Sequence, residues 1–196
     1  MCINSQTSMI AFIIGELSGL LLTTSNDKEK KIIGLFIMFY SLVQLMEYNI
    51  YNNNNPELFS KLLLANLGIQ AFVLFLLVST ICKINNMYMF LSLIIFLYII
   101  YVILFKSHKR ATVDKCIKWN FLTIDVRILL YVMYLLIFHL AFFNKCIYNN
   151  LFIRKTAYFF LLTLIISRII GKTTRNAPSF WCLSSALLSP ILLFIP

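Results

Sequence analysis

An all-α bundle of transmembrane helices, crossing the bilayer seven times, is the fold class this sequence predicts, and three observations predict it. Apolar residues make up 61% of the 196-residue chain and charged residues only 12%, about half the charge a soluble domain needs to hydrate its surface. The apolar residues also arrive in blocks of about 18 or more, the thickness of a hydrocarbon core. Finally, the basic residues collect in the short joints between blocks, where they meet anionic headgroups. A net charge of +10 would otherwise suggest nucleic acid, but a nucleic-acid reader places its cations on one continuous face. The lipid bilayer is therefore the expected partner, and nucleic acid is not.

The spans follow in order. Span 1 covers residues 8–24 and ends at the charged joint Asn26 to Lys31. It lacks a basic leader and a small-residue cleavage site, so it reads as a retained span. Span 2 covers 32–51 and ends at Asn52-Asn53-Asn54-Asn55-Pro56, a solvated turn. Span 3 covers 61–82, closed by Lys83-Ile84-Asn85-Asn86, and span 4 covers 87–105. The longest polar stretch follows, from Lys106 to Asp125. Span 5 covers 126–143, a joint runs from Asn144 to Lys155, and span 6 covers 156–171. The joint Lys172 to Pro178 leads into span 7, residues 179–195. No internal repeat is visible, and the whole chain forms one transmembrane domain.

Seven spans divide the joints between two faces. Side A holds the start of the chain and the joints after spans 2, 4 and 6. Side B holds the joints after spans 1, 3 and 5. Lys28, Lys30 and Lys31 after span 1 vote for side B as the cytoplasmic face, whereas the basic stretch Lys106 to Lys118 votes for side A. The reading here follows the first vote.

Polar groups inside spans are the candidate functional residues, because each is costly in lipid. Glu16 lies in the middle of span 1. Tyr40, Gln44, Glu47 and Tyr51 recur at i, i+4, i+7 and i+11, one face of span 2. Asn66 and Gln70 share a face of span 3, Asp125 and Arg127 open span 5, and Arg168 lies late in span 6. Glu47, Gln44, Glu16, Asn66, Gln70, Arg127 and Arg168 form the candidate ligand-binding set. Its acids and arginines are expected to pair, since an unpaired buried ion is very costly. The competing reading is that these groups only tie helices together. Gly15 and Gly19, a G-x-x-x-G pair around Glu16, allow close helix approach, within the bundle or by self-association. His139, alone in span 5, is expected to hydrogen-bond between helices.

Absences narrow the chemistry. Two histidines, His108 and His139, cannot build a three-histidine zinc site or the histidine boxes of a di-iron desaturase. No phosphate-binding or dinucleotide motif occurs, and span 7 has no lysine for a retinal Schiff base. No metal, no cofactor and no catalytic residue is assigned.

The opening Met1-Cys2-Ile3-Asn4-Ser5, the run Gln44-Leu45-Met46-Glu47-Tyr48 with Tyr51, the loop Lys118-Trp119-Asn120 and the run Pro178-Ser179-Phe180-Trp181-Cys182 resemble a family of small multispan membrane proteins of giant DNA viruses and some microbes. Its members start Met-Cys-aromatic, where this chain has Ile3, and carry Gln-x-x-Glu in the second span and Trp-Cys before the last. The resemblance implies a multispan fold in a viral or host membrane and lends no mechanism. Cys2 and Cys182 lie within those motifs. With Cys116 they fall at side A, while Cys82 and Cys146 fall at side B. Each reads as a small apolar filler, the commoner use of a free cysteine; the alternative is a Cys2–Cys182 or Cys116–Cys182 disulfide, which requires that side A meet an oxidising lumen. The functional expectation is a multi-pass protein that transports or binds a small ligand, or alternatively a structural or assembly protein of a viral or organellar membrane.

Overall fold

The computed structural model describes residues 4–105, 112–114, 116–118, 128–130, 132, 135–137, 139, 143–174, 186 and 189–194. Its described residues are helical apart from their turns and one short hairpin. Four helices, α1 (Ser5–Thr23), α2 (Lys28–Tyr51), α3 (Pro56–Val78) and α4 (Asn86–Phe105), are long and apolar enough to cross a membrane. These are spans 1 to 4 of the sequence reading, shifted by a few residues.

Side-chain caps set the shifts. Asn4 accepts from the Thr7 amide at 2.8 Å, so α1 starts three residues earlier than read. Lys28 to Lys31 form the first turn of α2 rather than a joint, with Glu29 favourably placed near the helix N-terminus. In the Asn run, Asn53 and Asn55 take positive φ values of 57° and 43°, a conformation asparagine tolerates better than most residues. Asn55 then caps α3 by accepting from the Leu58 amide at 3.3 Å, and Pro56 supplies the fixed φ of a first helical turn. The Asn85 side chain accepts from the Met87 amide at 3.0 Å at the start of α4.

Beyond α4 the structure departs from the reading in two places. The polar stretch holds a small antiparallel hairpin, β1 (Thr112–Asp114) paired with β2 (Cys116–Lys118), Val113 opposite Ile117. An all-helical reading did not foresee it, although β-branched Thr112, Val113 and Ile117 favour a strand. The joint expected from Asn144 to Lys155 is also mostly helical. It contains α5 (Lys145–Asn149) and the first turn of α6 (Leu151–Thr174). Two asparagines account for this: Asn144 accepts from the Cys146 and Ile147 amides, and Asn150 from the Ile153 amide. Within span 5, the described residues between 128 and 143 are helical, and a 3-10 helix, η1 (Ser189–Phe194), is described in span 7.

Packing runs from neighbour to neighbour. α1 lies along α2, α2 along α3 and α3 along α4, while α6 touches α2 and η1 touches α1. The main core joins Phe36, Val43, Leu63, Leu64, Phe75 and Ile99 of α2, α3 and α4, and a smaller one joins Leu22, Ile33, Ile37, Phe152 and Leu192. The outside of the bundle is apolar: Leu17, Leu21, Phe90, Leu97, Leu104 and Phe105 all face outward. The inside holds Ser8, Ser41, Gln44, Glu47, Asn66 and Gln70. Polar groups inward and large apolar groups outward suit a hydrocarbon solvent and not water.

Glycines set the α1–α2 spacing. A Cβ at Gly15 would stand 2.6 Å from the Ser41 Cβ, and one at Gly34 would stand 2.6 Å from the Gly19 carbonyl oxygen. The G-x-x-x-G pair therefore packs within the chain, against Gly34, Met38 and Ser41 of α2.

Candidate functional site

The antiparallel register of α1 and α2, which faces Gly15 with Ser41, organises the polar interior. On α1 the inward stripe is Ser8, Ala11, Gly15, Ser18, Gly19 and Leu22, small residues at helical spacing. On α2 the inward face includes Tyr40, Gln44 and Glu47, as their spacing predicts. The described members of the seven-residue candidate set fall into three groups by partner: Glu16 meets α2 at Ser41, the Asn66–Gln70 pair meets it two residues away at Phe39, and Gln44 and Glu47 lie three and six residues beyond Ser41.

Glu16 is the first. Its carboxylate accepts a hydrogen bond from the Ser41 hydroxyl, at 2.5 Å, across the α1–α2 seam. The same hydroxyl lies 2.8 Å from the Met38 carbonyl. A hydroxyl has one proton, so these two acceptors share it. Ser41 was not singled out from the sequence; the signal available was its place three residues, about one turn, before Gln44.

Asn66 and Gln70 are the second group. The Gln70 amide donates to the Asn66 side-chain oxygen at 2.9 Å, and the Asn66 amide donates to the Phe39 carbonyl at 3.4 Å. This pair ties α3 to α2 and engages a backbone group eight residues from Glu47. At 1.5 Å per residue that is about 12 Å along α2, so Asn66 sits well away from the level of Glu47.

Gln44 and Glu47 are the third. Both side chains are 0% exposed. The Gln44 amide makes no hydrogen bond through either its oxygen or its nitrogen among the described residues. Buried polar atoms are normally satisfied, and an amide left dry costs about 1–3 kcal/mol. The Ser8 hydroxyl is likewise fully buried without a partner among the described residues. Following the register from Gly15 and Ser41, Ser8 comes level with Glu47 and Tyr48, about one turn from Gln44. Sequence reasoning missed Ser8, whose signal is the small-residue stripe on α1. Arg127 lies outside the described residues, as do the side chain of Arg168 and the residues Cys2 and Cys182. Cys116 is described only as backbone, in β2.

His139 behaves as expected of a helix-bridging histidine. Its Nδ1 lies 2.7 Å from the Tyr88 hydroxyl of α4, and its ring stacks on Phe143 at 4.7 Å between centroids. At the same end of the bundle the sequence reading had no cross-link, yet Cys82 and Cys146 form a disulfide with Cα atoms 5.8 Å apart. Both cysteines had been placed on side B. What the sequence could not supply was the approach of the α3–α4 turn to α5, which the Asn144 amide also marks by donating to the Lys83 carbonyl at 3.2 Å.

Comparison of the chain with protein-family models, with curated proteins and with solved structures finds no match.

Proposed function

We propose that this chain is a seven-span integral membrane protein that binds or transports a small polar solute at Gln44, with Glu47 and Ser8 beside it. The observation that carries the reading is the fully buried Gln44 amide with no partner among the described residues. A primary amide presents one acceptor and two donors. The solute it suits has an adjacent donor and acceptor, as amides, ring imides and amino acids do. Such a ligand would restore the hydrogen bonds that burial removed. The level of Ser8 and Glu47, in the half of α2 that adjoins the Asn52–Asn55 turn, supports access from side A.

The test is a thermal-stability screen of the protein in lipid nanodiscs against amino acids, small amides and nucleobases. At least one solute should raise the melting temperature of the parent and not that of Gln44→Met. A panel in which no solute distinguishes the two proteins would sink the reading.

A second reading is a structural or assembly protein, in a viral or host endomembrane as the giant-virus resemblance implies. Its support is the internal pairing of Glu16 with Ser41 and of Asn66 with Gln70 and Phe39, together with the glycine seam. Under that reading Gln44→Met folds and functions like the parent.

A further inference from the structure

The charged joints divide almost evenly between the two ends of the bundle, so charge alone does not orient the molecule. Side B has Lys28, Lys30, Lys31, Lys83, Lys145, Arg154 and Lys155; the stretch after α4 has Lys106, Lys109, Arg110, Lys115 and Lys118. The structure adds a different kind of vote. The α1–α2 turn, the α3–α4 turn and the start of α6 meet at one end. Asn150 donates to the Glu29 carboxylate at 3.1 Å, Lys30 stands 5.6 Å over the Phe152 ring, and Asn144 reaches the Lys83 carbonyl. The Cys82–Cys146 disulfide joins the same end. It links residues 64 apart in sequence and fastens α5 to the turn between α3 and α4.

Disulfides persist where thiols meet an oxidising compartment and are rare where glutathione and thioredoxin keep them reduced. We propose that side B, the end bearing Cys82–Cys146, faces an oxidising compartment, a lumen or the exterior, and that the Asn52–Asn55 turn and the basic stretch after α4 face the reducing cytosol. Forming the bond needs a two-electron oxidant, which a disulfide-bearing carrier protein of that compartment provides. One cysteine thiolate attacks the carrier disulfide and forms a mixed disulfide. The other thiolate displaces the carrier, which leaves as a dithiol with the two electrons and two protons. The orientation agrees with the vote of Lys106 to Lys118 under the positive-inside rule and opposes the vote of Lys28 to Lys31. It also sets the two disulfide readings against each other. A Cys2–Cys182 or Cys116–Cys182 disulfide, which requires an oxidising side A, is not expected in this orientation.

The orientation of α2, α3 and α4 suffices for the test, whatever the total number of spans. Sealed microsomal vesicles carrying the full chain, lumen inside, are treated with a membrane-impermeant maleimide before lysis and read site by site by mass spectrometry. Asn54→Cys, in the exposed turn, is labelled to near completion without detergent. Cys82 and Cys146 stay unlabelled with or without detergent and become reactive only after reductant is added to opened vesicles. Glu57→Cys, on the same end as Asn54, repeats the first measurement should the turn variant fail to accumulate. Free Cys82 and Cys146 thiols before reduction would overturn the proposal. So would turn cysteines protected until detergent is added, or labelled in only about half the molecules.

Discussion

Gln44 and Asn66 are both buried carboxamides on inward helix faces, but they differ in what they touch. Asn66 accepts from Gln70 and donates to the Phe39 carbonyl, whereas the Gln44 amide makes no hydrogen bond among the described residues. Their substitutions should therefore move stability in opposite directions. Gln44→Met keeps the volume and removes the dry amide, so unfolding in mixed micelles should become harder by about 1–3 kcal/mol. A lower stability would show that Gln44 has a partner its burial conceals. Asn66→Leu and Gln70→Leu should each destabilise, and their double-mutant cycle should return a coupling of about 0.5–1.5 kcal/mol, the net contribution of a typical intramolecular hydrogen bond. Additive effects would mean the amide pair contributes nothing. Spacing alone marked Gln44, Glu47, Asn66 and Gln70 as inward-facing. Which of them were paired was not legible, because one helix's periodicity says nothing of its depth against a neighbour.

At the scale of elements, the α1–α2 seam shows how far a motif carries. Gly15 and Gly19 announced a close approach, but their partner Gly34 has no glycine at i+4 to complete a motif of its own and went unnoticed. It nonetheless meets backbone rather than a flexible side chain, its missing Cβ standing 2.6 Å from the Gly19 carbonyl oxygen and 2.8 Å from the Leu22 Cβ. Gly34→Val forces backbone apart rather than moving a flexible side chain, and should cost about 1–3 kcal/mol or more. Gly68→Ala, whose Cβ would press only on the Ile99 side chain at 2.9 Å, should cost less. Equal losses would show that the backbone contact is not the limiting one. The break between α5 and α6 was read as an open joint because Asn144, Asn149, Asn150, Arg154 and Lys155 are polar. Asparagine caps instead end one helix and start the next. Asn150 caps α6 and donates to Glu29 of α2 at once, so Asn150→Ala should lose about 0.5–2 kcal/mol, measured by the same unfolding. A change within error would show that the cap and the bond to Glu29 add nothing.

For the whole molecule, the number of crossings turns on α6. Its first turn shares the end of the bundle that holds the α1–α2 turn, through Asn150 with Glu29 and Lys30 over Phe152. It has 24 residues, which at 1.5 Å per residue span about 36 Å, enough to cross a bilayer. Its apolar stretch is bounded by charges, Arg154 and Lys155 near its start and Arg168 and Lys172 toward its end. Arg154 and Lys155 lie close enough to the helix start for long side chains to reach the headgroups, so these charges shorten the apolar stretch without forbidding a span. Composition made the membrane class legible, since an outward surface of Leu17, Phe90, Leu104 and Phe105 follows from it directly. The count was less legible, because charged helix ends and polar joints look alike in sequence. A crossing α6 carries Lys172 to the end opposite Lys30. Reporter fusions made after Lys30 and after Lys172 should therefore report opposite sides of the membrane. If both report the same side, α6 lies along the interface or turns back, the seven-span reading fails, and the chain after α4 must be reassigned.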